Sequence, residues 1–103
     1  MKIIKELEQL IDDEIHDIKK YAKMAAAVKD EDPGLAQTLF SISTQEETHR
    51  AALHAEVVKI IENHRKTKGE PPATMMAVYE YVHKKHIDAL AEARIYQEMF
   101  KKS

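Results

Sequence analysis

A chain of 103 residues, 44% hydrophobic and 33% charged, has the size and make-up of one globular domain. Its formal charge of −2 offers no basic surface for nucleic acid or an anionic membrane, and its lack of cysteine excludes disulfides, zinc–thiolate sites, iron–sulfur centres and thiol nucleophiles. No apolar run reaches the roughly 18 residues of a membrane span, and the opening Met1–Glu6 is amphipathic rather than a signal peptide, so a cytoplasmic protein is expected.

The breakers are confined to two short stretches, with Pro33 and Gly34 in one and Gly69, Pro71 and Pro72 in the other. Three long uninterrupted segments remain, which predicts an all-α domain over residues 1–103 with helices over about 2–29, 34–66 and 73–101. The short connections make sequential neighbours antiparallel. The first helix carries a row at Ile4, Leu7, Ile11, Glu14, Ile18, Tyr21, Ala25 and Val28, in alternating steps of three and four. One member, Glu14, is a carboxylate. Asp12, Asp13, His16 and Asp17 fall off this row and read as a solvated face.

Asp32 is the expected N-cap of the second helix, with Pro33 in its first turn. The row there is Leu35, Leu39, Ile42, Glu46, His49, Leu53 and Val57, so a carboxylate and an imidazole stand where leucines belong. A lone carboxylate in an apolar setting costs several kcal/mol unless it is paired, protonated or metal-bound. His54 and His64 read as surface or helix-end residues. The third helix supports two overlapping rows, one through Met76, Tyr79, His83, His86, Leu90, Ala93, Gln97 and Phe100, the other through Met75, Tyr79, Val82, His86, Ala89, Ala93, Tyr96 and Phe100.

Counting from the turns tests whether the polar members meet. Glu14 lies 15 residues before Lys29, and Glu46 and His49 lie 12 and 15 residues after Gly34, so all three fall within about one helical turn of the same level. The same count on the third helix reaches residues 88–91, bracketed by His86 and Glu92. A second Glu-x-x-His, at Glu80 and His83, lies a turn and a half or more away and is not expected to share the site.

At these residues the chain resembles the ferritin-like superfamily, most closely the rubrerythrin-type diiron helix pair, in which one helix supplies a Glu and the next a Glu-x-x-His. Glu14 matches the first, Gln45-Glu46-Glu47-Thr48-His49 matches the second, and Tyr21 matches a tyrosine often found near the iron. The likeness covers about residues 4–62. The resemblance implies a two-metal site holding iron, with manganese or zinc as other occupants, that oxidises Fe(II) with oxygen or peroxide. It assigns Glu14 and Glu46 as ligands or bridges, His49 as a terminal ligand and Tyr21 as a hydrogen-bond donor or reductant. It also implies an electron donor of unspecified nature.

The usual fold has four helices in one chain. Here a second Glu and Glu-x-x-His pair is not recognisable, and a cysteine-ligated rubredoxin domain cannot exist. Two completions follow. In the favoured one, the chain is a ferritin-like half-bundle completed by dimerisation, similar to the short encapsulated ferritins, with Glu14, Glu46 and His49 from each copy. In the other, the third helix contributes His86 or Glu92. Against both stands a non-enzymatic three-helix bundle whose rows serve oligomerisation or partner binding and whose polar cluster holds no metal.

Overall fold

A computed structural model describes residues 1–102. The chain forms three helices, α1 (Lys2–Val28), α2 (Pro33–Lys68) and α3 (Ala73–Lys101), arranged as a rod of 56 × 19 × 18 Å. Asp32 caps α2 as its type and position predict: its Oδ1 accepts from the Leu35 amide at 3.0 Å, with proline opening the helix. The helix runs two residues beyond the expected Lys66. It stops at Gly69, whose φ of 84° is the left-handed conformation that glycine adopts without strain. His64, as expected for a helix-end residue, sits with Nδ1 3.0 Å from the Gly69 carbonyl oxygen.

Cross-helix pairs fix the directions. The Ser43 hydroxyl of α2 donates to the Ile18 carbonyl of α1 at 2.8 Å, and Lys19 of α1 donates to Glu92 of α3 at 2.6 Å. The first pair fits antiparallel helices. The second, with Lys29 reaching the carbonyls of Phe100 and Lys102, fits α3 running parallel to α1. Helix α1 packs along both others, whereas α2 and α3 meet mainly through side chains: Glu47 with Arg94 at 2.7 Å and the stacked rings of Phe40 and Phe100.

The buried side of α1 is Ile4, Ile11, Ile15, Ile18, Ala22 and Ala25. These residues divide between two apolar clusters. Ile4, Ile11 and Ile15 join Val57 and Ile61, while Ile18 joins Leu90 and Ala93. Each fully buried isoleucine contributes about 1.5–3 kcal/mol by leaving water. Leu35, expected in the core, is 46% exposed and Ala36 takes its place, because the seam of α2 is rotated by one position at its start. Among the described residues no helix is long and apolar enough to cross a membrane.

Candidate metal centre

The antiparallel pairing of α1 and α2 sets Glu14 opposite the Glu46-x-x-His49 turn. One ligand atom from each of the three residues lies within 4.8 Å of the others, the only such group of three among the described residues. His49 Nδ1 is 3.6 Å from Glu46 Oε1 and 3.8 Å from Glu14 Oε2. These separations are too long for hydrogen bonds but can be spanned by a cation bonded at about 2.1 Å to both atoms. Two carboxylate oxygens and one imidazole nitrogen form a donor set that suits iron, manganese or zinc.

Electrostatics make the group expectant rather than satisfied. Glu14 is pushed up to about 7, first by a hydrogen bond with Glu46, then by burial, then by repulsion from the Glu46 charge, with His49 pulling the other way. Glu14 Oε2 is shut off from solvent and finds no hydrogen-bond donor. A proton shared between the carboxylates or a cation would answer it.

The group is not sealed in the core, where the sequence rows had put it. The side chains of Glu14 and Glu46 are 24% and 19% exposed, and that of His49 is 59% exposed. They lie on the outer edge of the α1–α2 seam. At 100° per residue, Glu14 points roughly 140–160° away from Asp12 and Lys19, through which α1 meets α3. The same outer side of the pair carries Ile3, Leu10, Met24 and Leu35, each between 46% and 48% exposed.

The other expected residues go elsewhere. His86 does not join the group. It turns to α1 on the opposite side, with Nε2 3.8 Å from Asp12 Oδ1, and burial pushes its proton affinity down. Glu92 is taken by Lys19. Tyr21 is half-buried on α1, two turns or about 10 Å along the axis from Glu14, with no hydrogen bond to the group among the described residues. Glu80 and His83 lie off the group, as the level count requires, and His83 stacks on His54. His54 therefore departs from its expected surface position.

Sequence reasoning missed the buried pair Ser43 and Gln97, in which the glutamine amide donates to the serine hydroxyl at 3.1 Å. The signal was there. Ser43, Glu47, Arg50, His54, Val57 and Ile61 follow one another in steps of four and three, a second row on α2 that faces α3. Polar members concealed it. Comparison of the chain with protein-family models, curated proteins and solved structures finds no match.

Proposed function

We propose that the chain is a ferritin-like metal protein in which two copies pair across the outer face of α1 and α2. Each copy contributes Glu14, Glu46 and His49 to one dinuclear carboxylate–histidine site. The observation that carries this reading is the convergence of those three side chains at an outward-facing position. Three ligands are half of a two-metal set, and a two-fold axis through the face supplies the other half, because an isologous interface presents the same patch twice. The exposed Leu10 one turn from Glu14, with Ile3, Met24 and Leu35 about three turns along the same side, is the apolar ground such an interface would cover. Iron held there would give up electrons to oxygen or peroxide. The chain's own part is to hold the metal through two carboxylates and an imidazole, to give up the Glu14 proton as the metal arrives, and to keep bulk water from the site through the apolar surround.

Anaerobic Fe(II) titration with parallel sedimentation analysis tests the reading. The expected outcome is about one tight iron per chain on a dimer, lost in Glu46→Ala/His49→Ala, followed by oxidation when oxygen is admitted. Two irons on a monomer would refute the shared site, and zinc or manganese bound in preference to iron would refute the oxidase activity. A metal-free bundle is the second reading, favoured by one feature: the Glu46 hydrogen bond and burial that raise the proton affinity of Glu14 allow the pair to relieve its charge by sharing a proton. Absence of tight binding by all three metals would establish it.

A further inference from the structure

On the side of α2 away from the Glu14–Glu46–His49 group, a layer of titratable side chains interrupts the core. His54 of α2 stacks on His83 of α3 with centroids 4.9 Å apart and planes 15° from parallel. Tyr79 also stacks on His83, at 5.8 Å and 8°. The charged groups facing this pair come from all three helices. From α2 there is Arg50, one turn before His54, whose Nε is buried with no partner. From α3 there is His86, with Glu80 beside Tyr79. From α1, Asp12 faces His86 and Glu8 faces Tyr79, with Glu8 Oε2 buried and unpartnered. The carboxylates thus lie on His86 and Tyr79, while His54 has a second imidazole and a guanidinium as its charged neighbours. The apolar clusters lie to either side, Val57 and Ile61 toward one end and Leu90 with Ala93 toward the other.

We propose that the His54–His83 stack is an acid-sensitive latch that holds the middle of α3 against the α1–α2 pair while His54 is neutral and releases it when His54 is protonated. Two neutral imidazoles stack favourably. An imidazolium at His54, half-buried beside the Arg50 guanidinium, is repelled by that charge and loses part of its hydration. Burial holds the proton affinity of His54 below the ordinary 6.5, with His83 and then Arg50 adding to the effect. A histidine whose folded-state value is depressed gives its full stabilisation above the unfolded value and loses it as pH falls below 6.5 toward the folded value. Arg50 follows directly on His49, so loosening of this layer would reach the helix that carries two members of the outer group. The latch itself does not depend on that group holding a metal.

The test is amide hydrogen exchange of the full metal-free chain between pH 7.5 and 5.0, expressed as protection relative to the unfolded rate, with the ring titrations of His54 and His83 followed by NMR. Protection across residues 79–90 of α3 is expected to fall by up to about tenfold relative to the centre of α1 between pH 7 and 5.5, ahead of His54 protonation in the folded chain, because the opened state takes up the proton first. His54→Phe and His83→Phe keep an aromatic stack and remove the charge, so each is expected to flatten the pH dependence. The same slope in both variants as in the native chain would overturn the latch. If a variant fails to fold, the native chain still decides: rings that protonate without any loss of α3 protection would overturn it equally.

Discussion

Replacing Glu14 by Gln separates the two demands placed on this side chain. In the folded chain its carboxyl is raised from the usual 4.5 to about 7, so the folded state holds a proton that the unfolded state has already released. For an acid with a raised value, the stabilisation is complete below the unfolded value and is lost as pH rises to the folded one. That displacement corresponds to a few kcal/mol, on the order of 3, lost as pH rises from roughly 4.5 to 7. Glutamine keeps the shape, cannot ionise and retains a donor for Glu46. The metal-free Glu14→Gln protein is therefore expected to match the native chain at pH 4, below the unfolded value, and to exceed it at pH 8 by a few kcal/mol, on the order of 3. The same substitution should abolish tight metal binding. In the native chain, metal must displace the Glu14 proton, so calorimetry in buffers of different ionisation enthalpy should find a proton released from this group below about pH 7 and little release well above it. Urea unfolding at the two pH values checks the first expectation. His54 loses stability toward acid, the opposite sense, but it is common to both proteins and cancels in their difference. A Glu14→Gln protein no more stable than the native chain at pH 8 would refute the assignment of a shared, costly carboxyl pair.

Three further substitutions probe the frame around the site. Ser43→Ala removes the acceptor of the buried Gln97 amide and the donor to the Ile18 carbonyl, and should cost about 1–3 kcal/mol in urea unfolding. Asp32→Ala deletes the cap on the Leu35 amide and should cost about 1 kcal/mol with no effect on metal binding. Leu10→Glu, on the exposed outer side of α1, should leave the monomer fold intact while turning the proposed dimer into monomers and weakening metal binding together with it; sedimentation and metal titration on one sample check both.

The helices were legible because proline and glycine occur only at the two turns and because Asp32-Pro33 announces a helix start. The level of the group was also legible, since counting from a tight turn fixes which residues of an antiparallel pair lie side by side. Its depth was not. Periodicity puts Glu14 in the row of Ile11 and Ile18 on α1, and Glu46 and His49 in the row of Leu39 and Val57 on α2, but a helix row is wide enough for one edge to be core and the other solvent, and the three polar residues take the outer edge. The neighbour of α3 stayed open for a related reason. His86 occurs in both rows drawn on α3, yet a row names the face and not the neighbour. The neighbour is Asp12 of α1, whose side chain stays 64% exposed on the solvated face that the sequence assigns to it.

Helix α1 bears on the question of what covers the outer face. Its buried row, Ile4, Ile11, Ile15 and Ile18, is accounted for by α2 and α3. A second row runs beside it through Ile3, Leu7, Leu10, Glu14, Asp17, Tyr21, Met24 and Val28, again in steps of four and three. An amphipathic helix at the edge of a finished bundle needs one apolar row, and its other side is normally charged. Here the second row is apolar at both ends and acidic in the middle, where Glu14 meets Glu46. A monomer gains nothing from isoleucine and leucine at positions 3 and 10 pointing to water. A two-fold partner would cover both ends of the row with its own and bring a second Glu14 and a second Glu46 to the centre. Four carboxylates there repel one another unless cations or protons stand among them, so the pairing that hides the apolar ends is also the one that raises the demand for metal. Under the proposed reading, dimerisation and metal binding should therefore each strengthen the other, and the dimer of the metal-free chain should weaken as pH rises through about 7, where Glu14 loses its proton. A dissociation constant for the metal-free dimer that stays constant from pH 5.5 to 8 would break that link.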